Sequence, residues 1–207
     1  MIKAVLFDLD GVLVDATEWH YESLNEALQE VAGFIINRDE HITTFNGIPT
    51  KKKLEILIEQ KRLSKNLFDE VWKKKQEKTL DVIERNAIVD HTKIRLHEGL
   101  NSIKKVCVTN SIRKTALLML EKTGQLKYMD FVISNEDVQE PKPSPEGYLN
   151  AMKKLELKPN ECLIVEDSPK GIQAAQNSSG FVFEVTGYSD VTYENVLKKI
   201  HQINYSP

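Results

Sequence analysis

Short apolar runs, interrupted by helical segments, are the strongest constraint on how this chain can fold. Four such runs lie at residues 4–7, 106–109, 131–134 and 163–166, and a weaker fifth lies at 181–185. Unbroken rather than alternating runs are typical of strands that are covered on both faces. Helical patterns separate the later runs, at residues 112–123, 145–155, 169–177 and 193–203. Strands that alternate with helices predict an α/β fold built on a doubly wound parallel sheet.

A long interval between the first and second runs breaks this rhythm. It contains no convincing strand and carries helical patterns at residues 18–31, 51–61 and 69–84. The segment of residues 15–95 is too long to be a single crossover between two strands, so we predict a small inserted helical domain there. The core would then comprise residues 1–14 and 96–207. Just before the second strand we expect only about one turn of helix.

The amino-acid composition indicates which partners and which cellular compartment to expect. The formal net charge is -3, which argues against nucleic acid or an anionic membrane surface as a partner. No stretch approaches the roughly 20 apolar residues that span a bilayer. Cys107 and Cys162 each lie in an apolar run, which favours free buried thiols over a disulfide. We therefore expect a soluble, cytoplasmic protein, with a monomer as the default state.

Acidic residues follow two of the predicted strands. Asp8 and Asp10 come after the first strand, and Glu166 and Asp167 close the fourth. In a doubly wound sheet the ligand crevice lies at the carboxyl ends of the strands, where the strand order reverses. Carboxylates that converge there would repel one another unless a cation is present. Such an oxygen-rich site suits Mg²⁺, which binds few carboxylates and keeps water ligands that a phosphate can replace.

These residue types are those that phosphoryl transfer needs. A carboxylate can attack phosphorus and form an aspartyl-phosphate, a role we assign to Asp8. Asp10 would protonate the leaving oxygen and later take a proton from water. Thr109 and Asn110 offer a hydroxyl and a backbone N–H to the transferring group, and Lys142 offers an ammonium.

Four ordered segments resemble the motifs of the haloacid dehalogenase-like hydrolases: FDLDGVLVD, VTNS, KPSPEGY and VEDSPKGIQAA. The resemblance covers the whole chain. It implies a Rossmann-like core with a helical cap of the first type, Asp8 as nucleophile and Asp10 as acid/base. The true dehalogenases of the superfamily lack the second aspartate, so Asp10 argues against dehalogenation.

The same resemblance implies the ligands of the site. Mg²⁺ would be held by the Asp8 carboxylate, the Asp10 backbone carbonyl and Asp167. Glu166 is either a further metal ligand or a residue that supports the ligands, and the sequence leaves this open. Thr109 and Lys142 would bind the phosphoryl group.

Assignments in the predicted cap rest on weaker signals. Residues 45–50 resemble a loop that lowers onto the substrate, which implicates Gly47 and Thr50, although a plain turn is the alternative. His20 is either a packing residue at the hinge or a proton-handling group. The lysine runs at 51–53 and 73–75 are usually solvated helix faces, but one lysine that reaches the substrate would suit an anion, and Lys75 is the best placed.

A phosphatase acting on a small phosphorylated metabolite is the leading prediction. The start of the chain, DLDGVLVDATEWH, also looks like β-phosphoglucomutase, which makes a phosphomutase the alternative enzyme. Leu24 and Thr50 stand where that mutase has a sugar-contacting tryptophan and arginine, and Ala16 replaces its usual threonine. A binding protein that has lost catalysis is a third possibility, but every charged catalytic position is filled.

Overall fold

The structure is a computed structural model that describes residues 1–45 and 48–205. The chain forms two compact units, one made of Met1–Asp15 with Ile88–Pro207 and the other of Ala16–Ala87. The predicted end of the insertion, residue 95, therefore falls within the first unit. Gly47, predicted to contact substrate, lies outside the described residues.

The first unit contains a parallel sheet, which matches the predicted α/β class. Within the described residues the strands are β1 (Ala4–Phe7), β2 (Lys104–Val108), β3 (Phe131–Ile133), β4 (Cys162–Glu166) and β5 (Phe181–Glu184). Their order is β3-β2-β1-β4-β5, and every pairing is parallel. The predicted doubly wound sheet is confirmed, and the strand order reverses between β1 and β4.

Helices follow the strands of this unit in turn. They are α5 (His91–Gly99), α6 (Arg113–Lys122), α7 (Glu146–Leu155), α8 (Pro169–Asn177) and α9 (Tyr193–Tyr205). Pro169 opens α8, where its missing N–H costs no hydrogen bond, and the Ser168 side chain accepts a hydrogen bond from the Gly171 N–H at 3.1 Å.

The segment before β2 corrects one prediction. In place of about one turn, α5 runs for nine residues from His91. It begins earlier than predicted because the Asp90 side chain caps it, accepting hydrogen bonds from the N–H groups of Thr92 and Lys93. The helix packs against α9, and it therefore belongs to the sheet-bearing unit.

Apolar burial explains why the central strands form. All four residues of β1 are fully buried, and Leu6 lies in a cluster with Val106 of β2 and Ile164 of β4. Each such side chain contributes about 1.5–3 kcal/mol when it leaves water. The edge strand β5 is only partly buried, which is why its sequence pattern is weaker. Both cysteines are buried and free, as predicted.

Among its described residues, the second unit contains helices and no strand. It contains α1 (Thr17–Ala32), the short α2 (Arg38–Glu40), a π-helical turn (His41–Phe45), α3 (Thr50–Glu59) and α4 (Phe68–Asn86). Its core joins Leu24 and Leu28 of α1 to Leu54 of α3 and Val71 of α4. Across residues 1–45 and 48–205, no helix is long and apolar enough to cross a membrane.

Candidate active site

The carboxyl ends of the central strands carry the predicted site residues. The Asp8 N–H donates to the Val165 carbonyl at 3.0 Å, which extends the β1–β4 ladder by one residue. The Thr109 N–H donates to the Ile133 carbonyl at 2.9 Å and extends β2 in the same way. Asp8, Thr109 and Glu166 are therefore brought to one edge of the sheet, at the switch point where ligands bind in such folds.

Lys142 is the cation at the centre of the site. Its Nζ donates to Asp8 Oδ1 at 2.6 Å, to Glu166 Oε1 at 2.6 Å and to the Val108 carbonyl at 2.7 Å. Asp8 and Lys142 are buried, and Glu166 is completely inaccessible. All three ammonium protons thus have an acceptor, so the lysine is held in one position rather than free to swing.

Glu166 has its acceptor capacity occupied by protein donors. Its Oε1 accepts from Lys142 and from the Tyr148 hydroxyl at 2.7 Å. Its Oε2 accepts from the N–H groups of Asp167 and Ser168 at 3.2 and 3.4 Å, and from the Ser168 hydroxyl at 3.3 Å. A carboxylate has about four lone-pair positions, so this arrangement favours a supporting role over direct metal ligation.

Three carboxylates nevertheless approach one another closely. Oxygens of Asp8, Glu166 and Asp167 all lie within 4.8 Å of one another. Asp167 Oδ1 is buried and has no hydrogen-bond partner. One lysine does not balance three carboxylates, and an unpaired buried carboxylate oxygen is costly. A divalent cation with oxygen preference fits this donor set.

The backbone around Asp167 is shaped by a glycine. Gly11 has a φ of +83°, in the left-handed region that glycine adopts readily. A Cβ at this position would overlap the Asp167 carboxylate. The turn that follows Asp10 can therefore approach Asp167 only because residue 11 lacks a side chain.

Burial dominates the acid–base properties of the site. Burial and then the Glu166 charge raise the pKa of Asp8 well above its ordinary value, while Lys142 opposes this shift. Burial and Glu166 likewise raise the pKa of Asp167 to about 6. Burial alone would lower the pKa of Lys142, but the charges of Asp8, Tyr148 and Glu166 outweigh it and raise that pKa well above normal. A further cation would favour the ionised aspartates.

Asp10 is not one of the three closely grouped carboxylates, although its charge contributes to the raised pKa values of Asp8 and Asp167. Its Oδ2 accepts a hydrogen bond from the Ser111 hydroxyl at 2.8 Å, while Ser111 N–H donates to Thr109 Oγ1 at 3.0 Å. Ser111 therefore connects the residue predicted as acid/base to the residue predicted to bind phosphate. Carboxylates were expected to converge at this edge of the sheet, and three of them, those of Asp8, Glu166 and Asp167, do so.

Asn110 has a structural contact that the sequence did not reveal. Its side chain donates to the Lys142 carbonyl at 3.1 Å and accepts from the Lys142 N–H at 3.0 Å. This pair of hydrogen bonds fastens the loop that carries Lys142 to the end of β2. Binding of phosphate by the Asn110 backbone stays a prediction.

In the inserted unit, two of the predicted residues lie together. Lys75 Nζ is 3.4 Å from His20 Nδ1, and the lysine is buried while His20 is half-buried. Thr50 is the first residue of α3 and is half-buried. Its side chain makes no hydrogen bond to another residue that the structure describes.

Sequence reasoning missed two residues of the core site, Ser111 and Tyr148. Both lie inside the motif segments VTNS and KPSPEGY, but neither carries a charge that would have drawn attention. Gly171 lies in α8, and a Cβ at this position would overlap the Glu166 carboxylate. The helix that follows β4 can therefore lie directly against that acid.

The fold and the site together define an α/β enzyme core with an acidic site at the switch point of a parallel sheet. The chain belongs to the haloacid dehalogenase-like hydrolases, because the sequence model of that family matches residues 5–185. The predicted family is thereby confirmed.

Two curated relatives are phosphatases by name. The chain is 31% identical to a phosphoglycolate phosphatase of Nitrosospira multiformis, over 91% of this chain and 86% of the relative. It is 28% identical to a phosphorylated carbohydrates phosphatase of Thermotoga maritima, over 86% of this chain and 82% of that protein. The predicted enzyme class, a phosphatase of this hydrolase family, is confirmed at that level.

A solved structure shares the fold. The crystal structure of β-phosphoglucomutase from Clostridium difficile matches with a TM-score of 0.76 and 24% identity, covering 98% of each chain. At this identity the likeness supports the architecture and carries no information on the reaction.

Proposed function

We propose that this protein is a Mg²⁺-dependent phosphatase that hydrolyses a small phosphorylated metabolite through an aspartyl-phosphate on Asp8. The observation that carries the proposal is the contact of Lys142 Nζ with Asp8 Oδ1 at 2.6 Å, beside the Glu166 and Asp167 carboxylates. A buried carboxylate held by a buried ammonium at a strand end is a suitable nucleophile for a dianionic group.

Asp8 begins the reaction. Its carboxylate oxygen attacks phosphorus, and the bond from phosphorus to the substrate oxygen breaks as Asp10 donates a proton to that oxygen. The products of this step are an acyl phosphate on Asp8 and a free alcohol. Asp10 then takes a proton from water, whose oxygen attacks phosphorus. The bond to Asp8 breaks, inorganic phosphate leaves and the carboxylate is restored.

Charge on the transferring group needs fixed positive partners. Lys142, Thr109 and the N–H of Asn110 are proposed to bind the phosphoryl oxygens. The residues proposed to hold Mg²⁺ are the Asp8 carboxylate, the Asp10 carbonyl and Asp167. The metal would neutralise part of the phosphoryl charge when bound. Because its oxygens are occupied by Lys142, Tyr148 and the start of α8, Glu166 is proposed to support Lys142 instead of ligating the metal.

The insertion is proposed to be a cap domain, with His20, Thr50 and Lys75 as substrate contacts. The approach of Lys75 to His20 at 3.4 Å supports grouping these two residues. Phosphate monoesters are anionic, so a buried lysine in the cap favours such a ligand.

The alternative function, a phosphomutase, is not favoured. Both curated relatives described above are phosphatases by name, and the likeness to β-phosphoglucomutase rests on a shared fold. The departures at Leu24 and Thr50 point the same way.

A panel of phosphorylated metabolites tests the proposal. The panel contains phosphoglycolate, sugar monophosphates, polyol phosphates, nucleotides and one bisphosphorylated sugar, each assayed with Mg²⁺ for released phosphate. We expect phosphate release from at least one monophosphate. Conversion of a sugar monophosphate into its positional isomer in the presence of the bisphosphorylated sugar, without free phosphate, would instead identify a mutase.

Substitution of the nucleophile tests the chemistry. Asp8→Asn removes the attacking oxygen charge and is expected to abolish turnover while the circular dichroism spectrum stays native. Asp81→Asn, at an exposed residue of α4, serves as the matched control with unchanged turnover. Turnover of Asp8→Asn near that of the wild type would reject the proposed mechanism.

A further inference from the structure

Gln125 is a fully buried amide whose hydrogen bonds can run in only one direction. Its Nε2 donates to the Leu13 carbonyl and to Thr123 Oγ1, both at 2.9 Å, and its Oε1 lies 3.0 Å from His97 Nε2. The Thr123 hydroxyl donates its own proton to the Met119 carbonyl at 2.7 Å, so it acts as an acceptor toward Gln125. An amide turned the other way would place its oxygen against two acceptors. The NH₂ group of Gln125 therefore faces Leu13.

The orientation of this amide determines which nitrogen of His97 carries the proton. Because Gln125 Oε1 can only accept, His97 Nε2 is the donor. Burial lowers the pKa of His97 to about 4, so the ring is neutral near pH 7, and its buried Nδ1 has no hydrogen-bond partner. The ring packs edge-on to Phe7 with centroids 5.9 Å apart. The single N–H of the imidazole is thus used on Gln125.

Leu13, the other partner of Gln125, lies in the turn formed by residues 9–14, which we call the 9–14 turn. The Leu9 carbonyl accepts hydrogen bonds from the N–H groups of Leu13 and Val14, both at 2.9 Å. The Leu13 carbonyl and the Val14 N–H belong to one planar peptide unit. Gln125 binds one side of that unit and Leu9 binds the other. The plane cannot rotate without breaking a buried hydrogen bond, which is costly.

The 9–14 turn also carries Asp10. The Gly11 N–H donates to the Val14 carbonyl at 2.8 Å, and Asp10 and Val14 form an isolated β-bridge. Fixing the peptide plane that precedes Val14 therefore fixes the residue that bridges to Asp10. The carboxylate of Asp10 is held separately, by the Ser111 hydroxyl at 2.8 Å. The side chain and the backbone of Asp10 thus have different supports.

We propose that Gln125 and His97 are positioning residues for Asp10. Gln125 holds the peptide plane of the 9–14 turn, and His97 keeps the Gln125 amide in the orientation that this contact requires. Asp10 can then exchange a proton with the substrate oxygen, and later with water, from one fixed position. This inference rests on the acid/base role proposed for Asp10, and it adds two residues that lie outside the four motif segments.

Hydrogen exchange of backbone amides, followed by NMR, tests the positioning without a substrate. Gln125→Met keeps the length of the side chain and removes both N–H donors. We expect the Leu13 and Val14 amides to exchange at least about tenfold faster than in the wild type, and the Leu6 amide of β1 to change less than about twofold. Equal acceleration of all three amides would indicate a general loss of stability and would overturn the proposal. Unchanged exchange in the 9–14 turn would also overturn it.

Two leaving groups test the connection to Asp10. An alkyl phosphate needs a proton on its leaving oxygen, whereas 4-nitrophenolate leaves without one. For Gln125→Met we expect kcat/KM to fall at least about tenfold with an alkyl monophosphate from the panel, and less than about threefold with 4-nitrophenyl phosphate. Equal losses with both substrates would show that Gln125 does not support proton transfer by Asp10.

Gln176→Met is the matched control, because Gln176 is exposed and its amide donates to Glu184 Oε1 at 3.3 Å. It should match the wild type in exchange and in kinetics. His97→Phe is the second variant, and it carries the test if Gln125→Met does not fold. It keeps an aromatic ring and removes the Nε2 donor, so we expect changes in the same direction but smaller. Exchange of the 9–14 turn at the wild-type rate in His97→Phe would overturn the role of His97.

The exchange experiment also separates this inference from the proposed mechanism. Turnover of Asp8→Asn near that of the wild type rejects the mechanism, whatever the exchange rates are. Exchange of the Leu13 and Val14 amides in Gln125→Met supports or overturns the positioning of the turn, whether or not the protein hydrolyses a phosphate ester.

Discussion

The Tyr148 hydroxyl donates a hydrogen bond of 2.7 Å to Glu166 Oε1, the same oxygen that accepts from Lys142. Both Tyr148 and Glu166 are fully buried, and Lys142 Nζ lies 4.9 Å from the centre of the Tyr148 ring. Burial first, and then Glu166 and Asp8 against the opposing charge of Lys142, raise the pKa of Tyr148 well above its ordinary value. The Tyr148 hydroxyl therefore stays protonated and acts as a donor, which helps to hold the Glu166 carboxylate against Lys142.

Tyr148→Phe is expected to lower kcat about five- to twentyfold, with a smaller change in KM, because Glu166 would lose one of its two Oε1 donors. Steady-state kinetics on a substrate found in the panel measures the effect. Tyr128→Phe is the matched control, since its hydroxyl also donates to a glutamate, Glu98, at 2.9 Å but on the surface. Equal kinetic constants for the two variants would show that the Tyr148 hydroxyl has no positioning role.

Lys142→Met should abolish turnover and destabilise the protein by about 3–5 kcal/mol, because Asp8 and Glu166 would remain buried without their cation. Urea unfolding measures the free energy. Lys104→Met removes an exposed ion pair with Asp130 of 2.8 Å and should cost under about 1 kcal/mol.

A double variant separates charge from packing. Adding Asp8→Asn to Lys142→Met removes one of the stranded charges, so part of the lost stability should return. A double variant that is less stable than Lys142→Met by the full Asp8→Asn effect would contradict this electrostatic account.

Mg²⁺ is expected to raise the melting temperature of the wild type, because a ligand that binds only the folded state stabilises it. Asp167→Asn should lose most of this increase, since Asp167 Oδ1 is the buried oxygen without a partner. Differential scanning calorimetry with and without EDTA measures the shift. Asp81→Asn should respond like the wild type, and an undiminished response of Asp167→Asn would exclude Asp167 as a ligand.

His97 predicts a specific pH dependence of stability. Its ring is buried between Phe7 and Tyr128, its Nε2 donates to Gln125 Oε1 at 3.0 Å, and its Nδ1 has no partner. Burial lowers its pKa to about 4. A second proton would create a buried N–H without an acceptor, so the folded state holds the neutral ring.

The direction in which stability changes with pH follows from the lowered pKa of His97. Between about pH 6.5 and 4 the unfolded chain binds a proton at this histidine while the folded chain does not, so the free energy of unfolding falls as the pH falls. The loss reaches at most about 3 kcal/mol over this interval. His97→Gln should remove that part of the slope in urea unfolding, whereas His91→Gln, at an exposed residue, should retain it. Parallel slopes in the two variants would refute the assignment.

Much of the fold could be predicted from the pattern of apolar residues along the chain. The runs at 4–7 and 163–166 became the buried strands β1 and β4 because a strand covered on both faces leaves no room for polar residues. The acids after those strands were placed correctly at one edge, since parallel strands align their carboxyl ends. The lysine run at 51–53 was expected to be mainly a solvated helix face, but Lys53 is buried, because it lies one helical turn before the buried Leu57.

Local sequence alone determined the strands, most helices and the motif residues of this protein, because hydrophobic spacing and turn chemistry act over a few neighbouring positions. The tertiary structure decided what those residues contact. Lys142 contacts Asp8 although the two residues are 134 positions apart in the sequence, and Tyr148 contacts Glu166, which is 18 positions away. The packing of α7 and β4 in one core brings the second pair together. Side-chain partners of this kind depend on how separate helices and strands pack together. The sequence alone therefore could not predict whether Glu166 binds a metal or supports Lys142.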